Sequence, residues 1–378
     1  MKPFDLTKFR KKVDGKIEGL SVGFHDPSTW LSTGNYTLNY LISNNFHRGI
    51  PLSQITMLAG ESGSGKSLIA AGIISYALDN GISVVAFDSE NAYTEEWLTK
   101  AGVDVKKYDK DLGGNGMLMR IQVSLVDTVA ETISSFMEDY KREYKDVDRD
   151  DRPPMLIVVD SLGMLLTRTD MDQFQKGDLK GDMGRKPKAL NALVRNCVVQ
   201  FAEYNVGMLA TNHTYASQDM FDPDDKISGG GGFIFASSIV IAMRKLKLKE
   251  DESGNKVTDV RGIRAAVKVV KSRYNKPFES VQVRVPYESG IDPYSGLVDL
   301  FEKQELLEKV GNKLQYVDLE GNEHKYFRKY FFTEKGHELL NLMMAEHDAQ
   351  MNLKHASGEF EVMDELEGEE GDDDESIE

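Results

Sequence analysis

Short apolar runs, each closed by polar residues or glycines, recur along the first half of the chain. Four of them are apolar almost throughout, at 55–59, 83–87, 155–159 and 206–210. Runs of this length without polar alternation are typical of strands that are buried on both faces of a parallel sheet. The pattern therefore predicts a three-layer α/β fold whose central sheet is mostly parallel.

Helical patterns lie between and around these strands. Residues 124–142 carry apolar side chains at positions 126, 129, 133 and 137, which is the spacing of an amphipathic helix. Further helices are predicted at 36–42, 68–74, 94–101 and 190–204, and further strands at 236–245, 263–272 and 281–285. Residues 301–357 change to a charged, largely helical pattern, which predicts a small C-terminal region.

The first apolar run leads into a glycine-rich segment and then into a predicted helix. This segment is Gly60-Glu61-Ser62-Gly63-Ser64-Gly65-Lys66-Ser67, a complete phosphate-binding loop in its strand–loop–helix context. In such a loop, successive backbone N–H groups and the N-terminus of the following helix point at a phosphate. We expect Lys66 to reach the β- and γ-phosphates of a nucleotide and the Ser67 hydroxyl to bind Mg²⁺.

Polar residues follow each of the next three apolar runs. They are Asp88-Ser89-Glu90, Asp160-Ser161 and Thr211-Asn212-His213. Ligands bind at the carboxyl ends of strands in open α/β sheets, so these residues are candidates for a binding site. An apolar strand that ends in Asp160, downstream of a phosphate loop, predicts a carboxylate that holds the water shell of Mg²⁺.

Two long polar segments follow the last two of these strands. Residues 168–188 are charged and contain three glycines, and residues 215–232 end in four consecutive glycines. Loops of this length are uncommon in a compact domain unless they are functional or disordered. We predict a long loop at each place.

Composition excludes several classes of protein. The 378 residues suffice for one large domain with appendages or for two domains, and the single cysteine, Cys197, excludes a disulfide framework and a multi-cysteine zinc site. No apolar run is long enough to span a membrane, and the N-terminus lacks the apolar core of a signal peptide. A reduced, cytoplasmic setting is therefore expected.

The net charge of −16 is unevenly distributed along the chain. Twelve acidic residues and no basic ones lie from 359 to 378, so the rest of the chain has a net charge of only −4. A body so close to neutral can carry local basic patches, and nucleic acid is not excluded as a partner. The acidic tail is expected to be disordered. Such a tail would compete with a nucleic acid for basic surface, bind a basic partner, or only keep the chain in solution.

In their order along the chain, the phosphate loop, the three polar clusters and the glycine run resemble the RecA-family recombinases. Segments 160–163, 212–215, 229–232 and 290–297 look most like the UvsX-type recombinases of tailed phages, and the resemblance covers residues 30–305. It implies a RecA-type phosphate-loop ATPase that uses ATP and Mg²⁺ in DNA recombination, repair and recombination-dependent replication. It also implies helical homo-oligomeric filaments on single-stranded DNA, which pair that DNA with homologous double-stranded DNA. A single-stranded-DNA-binding protein and a recombination mediator are the implied accessory partners.

The resemblance assigns roles to five residues of the core. Glu90 would polarise the attacking water, His213 would sense the γ-phosphate, and Trp97 would stack on adenine. Lys271 and Arg273 would reach across to the ATP of a neighbouring protomer, since residues two apart on a strand share a face. Each also has a simpler interpretation: a salt-bridged glutamate, a structural histidine, a core tryptophan or a solvated basic strand end.

The same resemblance makes segments 167–184 and 214–232 the DNA-contacting loops. Basic side chains of the first would bind backbone phosphates, whereas glycine N–H groups and two phenylalanines of the second would contact the strand. The implied DNA contacts are Arg168, Lys176, Lys180, Arg185, Lys186, Phe221, Gly229, Gly230, Gly231, Gly232 and Phe233.

The expected organisation is an N-terminal arm at 1–30 that contacts another protomer, an ATPase core at 31–300, a small C-terminal region at 301–357 and the acidic tail at 358–378. Two other functions stay open. A RecA-core hexameric helicase of the DnaB type would use the same site in a ring, and an ATP-gated DNA-binding scaffold would use hydrolysis only for release. A small-molecule kinase is disfavoured, because no second substrate site is evident.

Overall fold

The computed structural model describes residues 5–7, 10, 26–177, 184–201, 204–215, 226–228, 231–251 and 254–357. Its strands are β1 (Trp30–Leu31), β2 (Ile50–Pro51), β3 (Ile55–Gly60), β4 (Ser83–Asp88), β5 (Leu118–Gln122), β6 (Met155–Asp160), β7 (Val206–Tyr215), β8 (Lys226–Ile227), β9 (Ile239–Leu248), β10 (Gly262–Lys271), β11 (Ser280–Pro286), β12 (Glu308–Val310), β13 (Lys313–Val317) and β14 (Glu323–Tyr326). Its helices are α1 (Tyr36–Ser43), α2 (Lys66–Asp79), α3 (Glu95–Lys100), α4 (Val105–Tyr108), α5 (Val126–Tyr144), α6 (Arg168–Gln175), α7 (Arg185–Phe201), α8 (Gly231–Ala236), α9 (Leu297–Lys303) and α10 (Glu334–Ser357). Short 3₁₀ turns lie at Arg149–Asp151, Leu162–Met164 and Arg328–Phe332.

Within the described residues, the central sheet contains nine strands in the order β11-β10-β9-β3-β7-β6-β4-β5, with β8 paired to the end of β7. The strands from β9 to β5 in this order are parallel to one another, whereas β10, β11 and β8 are antiparallel to their neighbours. The prediction of a mostly parallel central sheet is confirmed.

Alternate residues of the buried strands pack on opposite faces of the sheet. Leu58 of β3 joins an apolar cluster with residues of α1 and α2, whereas its neighbour Met57 joins a second cluster with residues of α5 and α7. Because both faces are covered by helices, the strands have no solvent-facing positions, which explains the uninterrupted apolar runs. The three-layer arrangement is therefore confirmed, and all four apolar positions predicted for the helix at 124–142 are buried in α5.

The C-terminal region contains a sheet that the largely helical prediction missed. Strands β12, β13 and β14 form a three-stranded antiparallel sheet, and α10 follows it. Their turns hold Gly311 and Gly321 at positive φ, which is the local signal that sequence periodicity overlooked. Leu314 of β13 and Leu340 of α10 belong to the same apolar cluster as α1, so this region packs directly on the core.

The predicted loop at 168–188 is wrong at both of its ends, where the structure has helix. Thr167 caps α6 by accepting the Asp170 N–H, and Asp170 accepts the Thr167 N–H in return. Helix α7 begins at Arg185, five residues before the predicted start, with Pro187 in its first turn. Proline lacks an N–H that the first turn would leave unpaired, so it suits this position. Only residues 178–183 between the two helices lie outside the described residues.

The carboxyl ends of β3, β4, β6 and β7 lie at one edge of the sheet. Gly60 is level with His213 in the pairing of β3 with β7, and Asp88 is level with Asp160 in the pairing of β4 with β6. Residues that are far apart in sequence therefore come together there, as expected for an open α/β sheet. Among the described helices, none is long and apolar enough to cross a membrane.

Candidate nucleotide site and adjoining loops

The phosphate-binding loop leaves β3 at Gly60 and enters α2 at Lys66. Gly65, directly before the helix, has a φ of 98°, a left-handed conformation that glycine adopts without steric cost. No side chain caps the first turn of α2. Such an uncapped turn suits a helix whose first N–H groups bind an anion.

Lys66 points back across the loop rather than into solvent. Its Nζ donates to the carbonyl oxygens of Gly60 and Glu61, both at 2.9 Å. Burial lowers the pKa of the Lys66 amino group, while the carboxylates of Asp160, Glu90 and Glu61 act in the opposite direction. A lysine ammonium group held over the loop by two neutral carbonyl oxygens fits a polyphosphate, whose anionic oxygens would form stronger bonds to the same cation.

Asp160 ends β6 with one carboxylate oxygen in use and one unpartnered. Its Oδ1 accepts a hydrogen bond from the Thr211 hydroxyl, whereas its Oδ2 is buried without a hydrogen-bond partner. Together with the Ser67 hydroxyl in the first turn of α2, this oxygen fits Mg²⁺, which takes oxygen ligands and keeps much of its water. The described residues contain no cluster of three or more metal-ligating side chains.

The turn after β4 is shaped by Asp88, which is fully buried. Its carboxylate accepts the backbone N–H groups of Glu90 at 3.2 Å, Ala92 at 3.1 Å and Tyr93 at 2.9 Å. A carboxylate that is saturated by backbone donors is structural rather than catalytic. Asp88 therefore presents Glu90 at the sheet edge.

Glu90, Ser161 and His213 meet at this edge. Glu90 Oε1 accepts a hydrogen bond from Ser161 Oγ at 2.6 Å and lies 3.1 Å from His213 Nε2. His213 Nε2 is also 3.5 Å from Ser161 Oγ. The sequence singled out Glu90 and His213 separately, but neither their contact nor the part played by Ser161 could be foreseen.

Trp97 lies on α3 and is half-buried. Its ring stacks on that of Tyr93, with centroids 5.5 Å apart and an angle of 9° between the planes. Burial raises the pKa of the Tyr93 hydroxyl, and the neighbouring carboxylate of Asp160 adds to the shift. One face of Trp97 is thus used by the protein itself, and adenine stacking on this residue stays a prediction.

Lys271 and Arg273 lie toward the opposite edge of the sheet. Lys271 pairs with Val240 of β9, which is level with Met57, and β10 then runs away from the phosphate loop. Because Met57 is three residues from Gly60, Lys271 is about 10 Å short of the loop along the strand direction, and Arg273 is farther away. Neither residue is placed to reach the phosphate loop of its own protomer.

Lys271 has partners within the chain. Its Nζ donates to the carbonyl oxygens of Ile234 and Phe235 at the end of α8, both at 3.0 Å, and thus caps that helix. Burial lowers the pKa of Lys271, and Arg273 adds to the shift. Strand β10 ends at Lys271, so the expectation that both cations share one strand face is wrong. Arg273 instead lies in a bend in which the Ser272 hydroxyl accepts the Tyr274 N–H at 3.0 Å, and the same hydroxyl donates to the Ile42 carbonyl oxygen of α1 at 2.8 Å.

The basic candidates of the first loop differ in their surroundings. Arg168 pairs with Asp127 at 2.8 Å and with Glu131 at 3.0 Å on α5. Lys186 donates to the Gly163 carbonyl oxygen, and burial lowers its pKa. Arg185 donates to the Thr169 hydroxyl, and Lys176 ends α6 as an exposed side chain. Arg168, Arg185 and Lys186 thus already have partners within the chain, whereas Lys176 is exposed.

The second loop contains one clear correction. Phe233, expected to wedge between bases, is only 1% exposed and packs in the cluster under α7. Gly232 lies against Asn191, where a Cβ would approach its side chain to 2.8 Å, so close helix packing explains this glycine. Gly231 begins α8. The remaining candidates lie outside the described residues: Lys180, Phe221, Gly229 and Gly230.

Three aromatic side chains that the sequence interpretation passed over are exposed near these loops. Phe174 on α6 is 73% exposed, Tyr215 at the end of β7 is 60% exposed, and Phe235 on α8 is 78% exposed. A second omission concerns the hairpin of β9 and β10, whose strands were predicted but whose contact with the phosphate loop was not: Lys245 donates its backbone N–H to the Glu61 carboxylate at 2.8 Å. The exposed cations of this hairpin are Arg244, Lys245, Lys247, Lys249, Lys256 and Arg261.

Comparison with known proteins yields no matching protein-family model. The chain is nevertheless 26% identical to the recombination and repair protein of Enterobacteria phage T4 over 265 residues, which are 70% of this chain and 61% of that protein. It is 24% identical to protein RecA of Clostridium tetani over 330 residues, 85% of each chain. The predicted resemblance to the RecA-family recombinases is confirmed.

A third relative is the mitochondrial DNA repair protein recA homolog of Dictyostelium discoideum, 23% identical over 77% of this chain and 58% of that protein. The chain thus spans about three fifths of the length of the phage and Dictyostelium relatives. The RecA-like core is the part in which the site geometry lies, whereas the individual residue roles and the domain boundaries at 30, 300 and 357 stay predictions.

Proposed function

We propose that this chain is an ATP-dependent recombinase that assembles on single-stranded DNA and pairs it with homologous duplex. The observation that carries the proposal is the meeting of Lys66, Asp160, Glu90 and His213 at one sheet edge, from which the two candidate DNA segments depart. The names of the curated relatives, a recombination and repair protein and two RecA proteins, support the same function.

In the proposed reaction, ATP lies in the phosphate loop with its β- and γ-phosphates against Lys66. Ser67 and Asp160 would hold Mg²⁺, which would supply positive charge to the phosphate oxygens. Glu90 orients a water in line with the γ-phosphate and accepts its proton. Lys66 stabilises the negative charge that moves toward the leaving phosphate oxygens.

The route from nucleotide to DNA follows two strands. Strand β6 carries Asp160 and leads into α6, and β7 carries His213 and continues to Tyr215. Tyr215 pairs with Lys226 of β8, so the end of β7 is one side of a hairpin. Because His213 contacts Glu90, a change at the γ-phosphate that moves either side chain is passed to the base of this hairpin.

The proposed assembly into filaments involves the end of the sheet that lies away from the phosphate loop. Lys271 and Arg273 lie toward the end of the sheet opposite the phosphate loop of their own chain, so a role in hydrolysis requires a neighbouring protomer. Head-to-tail contact of one edge with the other makes an open helical filament when the rotation does not close. Lys271 donates to the carbonyl oxygen of Phe235, and the exposed ring of Phe235 adds apolar surface to this proposed interface.

The proposed DNA-binding surface is cationic, although the chain as a whole is acidic. The exposed cations of the β9–β10 hairpin and Lys176 provide phosphate contacts, and exposed Phe174 and Tyr215 provide rings for base stacking. A single-stranded-DNA-binding protein and a mediator as accessory partners, and a cytoplasmic location, rest on the resemblance alone.

The deciding experiment is ATP hydrolysis with and without single-stranded DNA, followed by electron microscopy of the same mixture with a non-hydrolysable ATP analogue. DNA-stimulated hydrolysis together with continuous helical filaments is the expected result. Closed rings around the strand would favour the hexameric helicase, and DNA binding that needs ATP without DNA-stimulated turnover would favour the scaffold. Absence of any response to DNA would contradict all three.

A further inference from the structure

The turn that carries Glu90 is tied to the end of β6 by two serines. The Ser89 N–H donates to the Asp160 carbonyl oxygen at 2.8 Å. Ser89 Oγ accepts the Ser161 N–H at 2.8 Å and donates to the Ser161 carbonyl oxygen at 2.7 Å. Ser161 is fully buried, and its own hydroxyl donates to Glu90 Oε1 at 2.6 Å. Four hydrogen bonds thus join neighbouring strands at the point where both leave the sheet.

A glutamate needs such support if it is to orient water. Its side chain has three rotatable bonds, and that of Glu90 is 31% exposed, so burial alone does not hold the carboxylate in place. The Ser161 hydroxyl and His213 Nε2 both approach the same oxygen, Oε1. Their shared contact leaves Oε2 as the oxygen that can accept a proton from water.

The arrangement also sets Glu90 relative to the metal site. Ser161 follows Asp160 directly, and Ser89 precedes Glu90 directly, so the two serines connect the two carboxylates through short backbone segments. Two groups that act on one phosphate must be held at a well-defined separation, because a displacement of about 1 Å costs about 100-fold in rate. The hydrogen bonds of Ser89 and Ser161 fix the separation of Glu90 and Asp160 in this way.

We infer that Ser161, anchored by Ser89, is a positioning residue that holds the Glu90 carboxylate at a set distance from Asp160 with Oε2 free for the attacking water. The inference rests on the proposed ATP hydrolysis and deepens it. Ser161 acts only through Glu90, and this property separates it from a serine that merely stabilises the fold.

A double-mutant cycle tests this directly. Ser161→Ala, Glu90→Gln and the double variant are compared with the unaltered chain by single-turnover hydrolysis of ATP and by binding of a fluorescent ATP analogue. Ser161→Ala is expected to lower the hydrolysis rate about 10- to 100-fold and to change analogue affinity less than about threefold. In the Glu90→Gln background, the same change is expected to have no further effect, since residues that act as a unit are not additive.

Two further variants complete the test. Ser161→Thr keeps the hydroxyl and is expected to recover most of the rate that Ser161→Ala loses. Ser238→Ala is the matched control, because Ser238 is equally buried but donates to Gln54 at the other end of β3, and it is expected to hydrolyse ATP normally.

The outcomes separate this inference from the proposed function. If Glu90→Gln is inactive but Ser161→Ala keeps the full rate, or if Ser161→Ala causes the same loss in both backgrounds, the positioning role is wrong and the proposed function stands. If the unaltered chain does not hydrolyse ATP, or Glu90→Gln keeps the full rate, the assignment of Glu90 is wrong and this inference is overturned with it.

Discussion

At the carboxyl edge of the central sheet, the polar side chains bind one another. Lys66 contacts the loop that it follows, Thr211 holds Asp160, and Ser161 and His213 hold Glu90. Toward the opposite edge, Lys271 and Arg273 have no carboxylate within ion-pair distance among the described residues, and Phe235 is exposed beside them. The polar groups of the first edge contact one another within one chain, whereas the second carries Lys271, which caps α8, together with Arg273 and the exposed ring of Phe235.

This difference has a physical cause. Parallel strands place all their carboxyl ends at one edge, so residues distributed over 150 positions converge there within a single protomer. Strands β9 and β10 are antiparallel to each other, so the end of β10 is directed away from that edge. A site that combined Glu90 with Lys271, as proposed above, would therefore have to draw them from two protomers.

The largest effect is expected for Lys66→Ala, which removes the cation from the phosphate loop. ATP turnover should fall at least about 100-fold, as for loss of a preorganised charge in an active site. The fold should survive, because burial already disfavours the charged form of Lys66. Hydrolysis assays and thermal unfolding check this, and a variant that hydrolyses ATP at the normal rate would contradict the site assignment.

Next in size is the effect of mixing Lys271→Ala with Glu90→Ala. Each variant alone should be inactive if every site draws Glu90 from one chain and Lys271 from its neighbour. In an equal mixture, about one quarter of head-to-tail interfaces combine both intact residues, so about one quarter of the normal rate should return. Hydrolysis measured across mixing ratios gives the result. Mixtures as inactive as their components would count against a shared site, provided that filaments form.

A smaller effect, on the salt dependence of DNA binding, is expected for the cations of α6, which follows β6 in the chain. Affinity for single-stranded DNA falls as salt rises, so the slope of log affinity against log salt is negative. Lys176 is exposed, and Lys176→Ala should reduce the magnitude of this slope by about 0.7, the value of one phosphate contact. Arg168→Ala is the matched comparison and should reduce the magnitude less, because Arg168 is paired with Asp127 and Glu131. Binding titrations at several salt concentrations measure both, and equal slopes for all three proteins would remove this helix from the DNA surface.

The smallest functional effect is expected for Cys197, in the helical layer that covers one face of the sheet between the two edges. Cys197 on α7 is buried, and burial raises its pKa to about 12, so a thiol reagent at pH 8 should label the folded chain far more slowly than the unfolded chain. Cys197→Ala should cost about 1–2 kcal/mol of unfolding free energy and leave hydrolysis unchanged. Rapid labelling of the folded protein, followed by loss of activity, would show that this layer is more open than the structure indicates.

The phosphate loop could be recognised from the sequence because its eight residues are consecutive and each does its work locally. The apolar strands could be recognised for a similar reason, since burial on both faces removes every polar position from a short run. Helix α6 carried a local signal as well, the Thr167–Asp170 capping box, but its polar surface concealed it within an apparent loop.

Contacts between distant segments follow different rules. Glu90 is 71 residues from Ser161 and 123 from His213, so no local pattern could show that all three meet. Phe233 and Phe235 lie two residues apart in a helix of six, too short for any periodicity to tell the buried ring from the exposed one. The direction of Lys271 likewise depended on the antiparallel pairing of β10. The phosphate loop could be predicted from the order of residues along the chain. The contacts among Glu90, Ser161 and His213 at one edge, and the position of Lys271 toward the other, depended on how the strands are arranged in the sheet.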